Sequence, residues 1–354
     1  MTRRACSTCR TGSPRPCSRA RSWNGWGGRA VPVVDVAVIG AGPAGAAAAV
    51  QLKRSGVDFR LFEKAKTGGL LRNALLVENY PGFPRGVAGP DLVRLIERQM
   101  KRLGIKVEKN EVLRVGFRGG LFTLKTLRGD LRARVCVIAS GTEPLRLPHG
   151  LIPPESEGRV CYEVVPLART KGKRIAVLGG GDAAFDYALN LARRNDVVLL
   201  HRSRTPKCLP LLRRRAKGRP RLTVLDGAGL ESVRRTKRGL ILGLKRGRRR
   251  LILEVSYLLA AVGRKPALGF VAVGLKKRVA ALRRAKRLFL AGDVKNGSFR
   301  QTAIAAGDGL RAAMEIASGF MKWRADSRPR GDEDANSSPL RGPGRHRTGR
   351  RPGI

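Results

Sequence analysis

Two glycine-rich turns and one isolated cysteine are the places where this chain could do chemistry. The first turn reads Gly40-Ala-Gly42-Pro-Ala44-Gly45, and the second reads Gly179-Gly-Gly181-Asp182-Ala183-Ala184. Glycines at this spacing permit a tight turn, close approach of a pyrophosphate and close packing of strand on helix. A helix that starts on such a turn offers free N–H groups and the positive end of its dipole to the phosphates. The glycine spacing alone is weak, and its surroundings make it specific. Each turn lies between an apolar strand and an Ala-rich helix, and the next strand ends in charge. In the first copy that end is Glu63, placed to accept hydrogen bonds from both ribose hydroxyls of a dinucleotide. In the second it is His201-Arg202-Ser203-Arg204. A cationic end pairs with a 2′-phosphate, so the pattern favours NADPH, with NADH as the alternative.

The elements that must hold these turns follow a coarse internal repeat, from Val33 to Glu63 and again from Arg174 to Arg202. The spacing predicts helices over Pro43–Lys53 and Asp182–Arg194. It predicts further β-structure at Leu121–Lys125, Val135–Ala139, Leu240–Leu244 and Leu251–Ala260. Two βαβ units with antiparallel strands between them indicate an α/β chain with two Rossmann-like dinucleotide-binding domains.

The 354 residues carry 73 Lys and Arg against 26 Asp and Glu, a formal charge of +47. The ends supply only part of it, since residues 34–322 still hold 58 basic and 22 acidic side chains. Such a field attracts polyanions and acidic proteins. Either a selected docking face or a general arginine bias spread over a solvated surface accounts for it. The basic runs Arg213-Arg-Arg215 and Lys245-Arg-Gly-Arg-Arg-Arg250 are not interleaved with aromatics, which speaks against stacking-based nucleic-acid recognition. The six cysteines, at 6, 9, 17, 136, 161 and 208, do not form a secreted disulfide framework, so a reducing cytoplasm is expected. Cys6 and Cys9 have redox or half-zinc spacing, but no second pair follows and no metal site is expected. Residues 1–33 and 321–354 read as disordered tails. The first lacks the apolar centre of a signal peptide. No Met lies between Met1 and Met100, so a natural start near Val31 or Val34 is one reading of the N-terminal tail. Val36–Leu52 is uncharged but too short and too glycine-rich for a membrane span.

In this order the motifs resemble the low-molecular-weight thioredoxin reductase family of pyridine-nucleotide flavoprotein oxidoreductases. Gly68-Gly69-Leu70 and Val77-Glu-Asn79-Tyr-Pro-Gly-Phe83 look like that family's flavin-contact loops. Ala139-Ser-Gly141 and Val262-Gly263-Arg-Lys-Pro266 look like the exit from the FAD domain and the return to it. Leu290-Ala-Gly-Asp293, with Arg300-Gln301, resembles the closing FAD signature. The resemblance implies an FAD domain of residues 34–142 and 267–320, interrupted by an NAD(P)H domain of residues 143–266. It implies FAD held by Gly40, Gly42, Ala44, Gly45, Glu63, Gly69, Leu70, Asn79, Gly141, Asp293, Arg300 and Gln301. It likewise implies NADPH held by Gly179, Gly181, Asp182, Ala183, His201, Arg202, Ser203 and Gly263. A homodimer and a rotation of one domain against the other are expected, with hinges at Glu143-Pro144 and Arg264-Lys-Pro266.

The departure from the family lies at Arg159-Val-Cys161-Tyr-Glu-Val-Val-Pro166, where thioredoxin reductases carry Cys-x-x-Cys. Cys161 has no partner at that spacing, and one sulfur cannot alternate between dithiol and disulfide. Cys161 reads first as a small packing residue and second as a lone reactive thiol or the trap for a mixed disulfide. Cys208, close to Arg213-Arg-Arg215, could have a lowered pKa, although an inert exposed thiol is the plainer reading. Relatives without the dithiol include ferredoxin–NADP reductases of thioredoxin-reductase type and reductases of small disulfides. The positive charge suits an acidic electron carrier such as ferredoxin or flavodoxin. A non-catalytic nucleotide-binding protein or a basic nucleic-acid-binding protein is the reading from a different class.

Overall fold

The structure, a computed structural model, describes residues 31–326. The two expected tails, apart from the stretches 31–33 and 321–326, lie outside the described residues, as do Cys6, Cys9 and Cys17. The chain opens with β1 (Val33–Ile39), α1 (Pro43–Arg54) and β2 (Phe59–Glu63), followed by α2 (Gly89–Arg102) and β3 (Val107–Lys109). A meander follows, β4 (Val112–Arg118), β5 (Leu121–Thr126) and β6 (Gly129–Ile138), and the short β7 (Thr142–Pro144) leads away. The strand order is β3-β2-β1-β6-β5-β4. From Val36 to Ile39 β1 is a continuous apolar, buried run because both sheet faces are covered there. Val36 and Val38 point into one core with α1, while Ala37 and Ile39 point into the other.

The inserted half contains β8 (Val160–Cys161), β9 (Arg174–Leu178), α3 (Asp182–Leu191), β10 (Asp196–His201), α4 (Pro210–Ala216) and β11 (Leu222–Asp226). It continues with β12 (Ala228–Arg235), β13 (Leu240–Arg246), β14 (Arg249–Val255) and β15 (Tyr257–Ala260). Its main sheet is parallel, in the order β11-β10-β9-β15-β8, and β12, β13 and β14 form a separate antiparallel sheet against it. The stretch Leu251–Ala260 is therefore two strands in two sheets, broken at Ser256. Its first part alternates in burial, as one face of a meander does, whereas Leu258, Leu259 and Ala260 are all buried in the parallel sheet.

The chain returns through β16 (Arg264–Pro266), which pairs antiparallel with β7. Two short helices, α5 (Val273–Lys276) and α6 (Val279–Arg284), lead to β17 (Leu288–Leu290). β17 pairs with β6 and completes the first sheet. The last helix, α7 (Thr302–Asp326), runs beyond the expected start of the tail at 321. α1 is nearly all alanine and glycine on its buried side, which lets α7 lie directly against it: a Cβ on Gly309 would fall 1.9 Å from the Ala44 carbonyl oxygen.

Candidate nucleotide sites and the junction between the halves

The first glycine turn is held by steric necessity. Gly40 has φ +100°, and a Cβ there would lie 2.4 Å from the Ala139 carbonyl oxygen; one on Gly45 would lie 1.8 Å from the Gly40 oxygen. Gly42 differs, since a Cβ there would meet nothing within 4 Å. The space beside Gly42, at the N-terminus of α1, is an open cradle that a pyrophosphate fits. Glu63 is fixed from two sides, accepting the Ala41 N–H at 2.8 Å and the Ala65 N–H at 2.9 Å. Each carboxylate oxygen keeps a lone pair for a ribose hydroxyl. Glu63 also lines a surface hollow of about 380 Å³ with Ala65, Lys66 and Lys109.

The residues expected around a flavin converge on the same region. Gly68 donates its N–H to the Ala41 oxygen at 2.8 Å, which lays Gly69 and Leu70 beside the glycine turn. Asn79 donates to Gln301 at 2.7 Å across 222 residues of sequence. Gly141, at φ +65°, accepts the Ala267 N–H, joining the exit from the first half to the return. Gly292 sits at φ +78°, where a Cβ would press on the Ala44 side chain, so the turn carrying Asp293 abuts the helix of the opening fingerprint. Burial pushes the Asp293 carboxyl above its usual range, opposed by Arg300 and Arg264. Among the described residues the buried Arg300 Nε has no partner, an orphaned donor that a bound acceptor group would satisfy. The residues present fit FAD.

Sequence reading missed Asp308, which organises this closing turn. It accepts hydrogen bonds from the Gly292 N–H at 3.0 Å and Asn296 at 2.7 Å, and pairs with Lys295 at 2.7 Å. Burial would raise its carboxyl, but these three partners hold it below the usual range. The Ala-Gly-Asp-Gly context of an α7 turn was the available signal, and it reads as ordinary helix.

In the second site Gly179 has φ +154°, and a Cβ would meet the Ala261 oxygen at 2.4 Å, while Gly181 faces open space. Asp182 and Ala183 are exposed at the start of α3. Gly263, at φ +125°, packs on Leu145. Arg202, Ser203 and Arg204 are exposed on the loop after β10. His201 is not with them. It is 3% exposed, lies under Gly180, and holds Nε2 2.6 Å from Asp226 Oδ1. β10 is a central strand of the parallel sheet, buried from Val197 through His201, and exposure begins only at Arg202, where the strand has ended.

Between the halves lies a polar network that no local pattern announces. Arg264 donates to Thr142 Oγ1 at 2.9 Å and to the Thr142 carbonyl at 2.8 Å, and pairs with Glu163 at 2.7 Å. Glu163 also accepts from Asn73 of the first half. Two residues on, Leu75 donates its N–H to Asp186 of α3 at 3.1 Å. Burial pushes the Asp186 carboxyl up to about 6, with the Leu75 N–H and Arg215 opposing. Glu78 meets Arg215 in a two-pronged pair at 2.6 and 2.8 Å. Segment 73–78, adjoining Asn79, is thus fastened to the inserted half at three points.

The cysteines take no visible part in this. Among the described residues Cys136, Cys161 and Cys208 are free. Cys161 pairs in register with Leu259 and packs into the inserted half's core, and burial raises its thiol. Burial takes Cys136 up to about 12. Cys208 is raised, not lowered: burial and the Asp182 charge outweigh Arg213.

The fold is matched by known proteins. The pyridine nucleotide-disulphide oxidoreductase profile covers residues 34–309. The chain belongs to the pyridine nucleotide-disulphide oxidoreductase family. A thioredoxin reductase of Treponema pallidum is 31% identical over 307 residues, 80% of this chain and 96% of that one. A bifunctional thioredoxin reductase/thioredoxin of Mycobacterium leprae is 31% identical over 310 residues, spanning 82% of this chain and 66% of that one. Among solved structures, Lactococcus lactis thioredoxin reductase in its FR conformation superposes with a TM-score of 0.72 at 24% identity, covering 82% of this chain and 99% of that one. This oxidoreductase is accordingly an FAD-dependent enzyme of the thioredoxin reductase-like branch, with FAD and NADPH as its cofactors. Among the described residues no helix is long and apolar enough to cross a membrane.

Proposed function

We propose that this oxidoreductase draws electrons from NADPH and delivers them to an acidic protein carrier of ferredoxin or flavodoxin type, without a dithiol relay of its own. The observation that carries the reading is Cys161: the positions three residues away on either side are Gly158 and Val164. Gly42, Glu63, Asp293 and Arg300 would hold FAD, which would supply two-electron exchange with nicotinamide and onward transfer. The chain's own residues bind and orient. Gly181 and the start of α3 receive the pyrophosphate of NADPH, and Arg202 and Arg204 receive its 2′-phosphate. The N-terminus of α7, preceded by Arg300 and Gln301, would offer positive potential to the electron-rich edge of a flavin bound there. No side chain is required as acid or base for hydride transfer, so the protein contributes alignment and exclusion of water.

The excess of cations in residues 34–322 supports an acidic partner. A second reading, a reductase for a small disulfide or a thioredoxin-like protein, is supported by the thioredoxin reductase relatives. We further propose a homodimer in the cytoplasm. The deciding experiment is an anaerobic stopped-flow panel in which NADPH-reduced protein meets ferredoxin, flavodoxin, small disulfides and thioredoxin. Fast oxidation by a ferredoxin or flavodoxin supports the first reading, and fast oxidation by a disulfide or thioredoxin replaces it with the second.

A further inference from the structure

We infer that Asp182 is a positioning residue for cofactor choice: it pins the cationic loop 202–209 at the mouth of the second nucleotide site. The inference rests on the proposed pairing of Arg202 and Arg204 with a 2′-phosphate, and adds the residue that keeps that clamp in place. Asp182 opens α3, where a carboxylate ordinarily serves its own helix end. Its Oδ1 instead accepts the Leu209 N–H at 2.7 Å, 27 residues away. The other end of the loop is tied by the Gly227 N–H, which donates to the Ser203 carbonyl at 3.2 Å. Between these anchors Ser203 Oγ accepts the Thr205 N–H at 3.1 Å and donates to the Thr205 carbonyl at 2.7 Å.

The loop thereby runs from the end of β10 to the same helix end that faces the cofactor phosphates. Arg202, Arg204 and Lys207 stand exposed on it, and none has an ion pair among the described residues. Three cations without carboxylates, on a loop tied at both ends, suit an anion that arrives with the ligand. Tying the loop beforehand spares NADPH the entropy of ordering it. NADH has no phosphate to place there and gains nothing from the tie.

The test uses the flavin-loaded enzyme with Asp182→Ala and Asp182→Asn, checked for unchanged melting and flavin content. Binding of NADP⁺ and NAD⁺ is measured by calorimetry, and KM and kcat with NADPH and NADH by flavin reduction. Loss of one exposed charge-assisted hydrogen bond predicts that Asp182→Ala lowers the preference for NADP⁺ over NAD⁺ in binding, and for NADPH over NADH in KM, by about fivefold. Asp182→Asn retains an acceptor oxygen and should restore NADP⁺ affinity to within about twofold of wild type. Equal losses for both nucleotides, or no rescue by Asn, overturns the inference. An Arg202→Ala/Arg204→Ala variant separates the two levels. If it leaves the NADP⁺ preference intact, the 2′-phosphate reading itself fails; if it removes the preference while Asp182→Ala does not, only the role of Asp182 fails.

Discussion

Replacing Gly309 with alanine adds one methyl group where α7 crosses α1. At this position two effects of opposite sign compete. Alanine is favoured over glycine inside a helix by about 1 kcal/mol. Against that, the new Cβ would lie 1.9 Å from the Ala44 carbonyl oxygen and 2.8 Å from its carbon. Both are backbone atoms that cannot rotate away, so α7 must retreat by roughly an ångström from a close-packed contact. Overpacking of this kind costs about 1–3 kcal/mol, and more when backbone has to move. The clash wins, leaving a net loss of about 1–2 kcal/mol, which lowers Tm by about 2–3 °C for a protein of this size. Gly307, two residues earlier in the same helix, is the control: a Cβ there meets nothing within 4 Å. Gly307→Ala should gain up to about 1 kcal/mol from propensity alone and melt slightly higher. Flavin content should also fall in Gly309→Ala, because Ala44 touches the Gly292 turn that carries Asp293. Thermal melts of holo and flavin-stripped protein, with flavin absorbance per chain, check both points. A Gly309→Ala protein that melts alongside Gly307→Ala with full flavin would refute the packing argument.

Other outcomes follow from the same geometry. Glu63→Ala strands the Ala41 and Ala65 N–H groups and removes the ribose acceptor, so the purified protein should hold well under one flavin per chain, read from its visible absorbance. Burial pushes the Asp186 carboxyl up to about 6 from the 3.8 of an unperturbed aspartate, so the folded state is destabilised by its charge above pH 6 and regains stability as pH falls from 6 towards 3.8. Asp186→Asn should therefore be more stable than wild type at pH 7.5, by up to about 3 kcal/mol, and lose that advantage near pH 4 in urea titrations; a gap that widens on acidification would invert the assigned cause. Cys161→Ala should cost packing energy while NADPH oxidation continues, and abolition of turnover would restore a redox role to this thiol. Oxidation by an acidic carrier should slow steeply between low and moderate salt, whereas a flat response removes the electrostatic support for that acceptor.

What could be read in advance was whatever has a local signature. The strand–turn–helix units around Gly40 and Gly179 are written in consecutive residues, because the phosphate cradle is itself local backbone geometry. Helix ends were less legible: α3 stops at Leu191, three residues short of expectation, where the chain turns into β10. His201 reads with Arg202–Arg204 in the sequence because composition does not show where a buried strand ends and its loop begins. Glu163, Asp186, Asn73 and Asp308 escaped for a different reason. Each acts through a partner distant in sequence, and a lone polar residue in an apolar stretch carries no mark of the element that will meet it.

The pairing of β7 with β16 has a consequence for how the chain comes together. Leu145 donates its N–H to the Gly263 oxygen at 2.9 Å, so the inserted half begins and ends at adjacent points. If the insert were unfolded, closing the outer half would mean joining the ends of a loop of about 120 residues; with the insert folded, that loop shrinks to a few. By the logarithmic dependence of closure entropy on length, the saving is about 3 kcal/mol. The second half of the chain to be completed thus depends on the half nested inside it, and assembly should proceed from the insert outward.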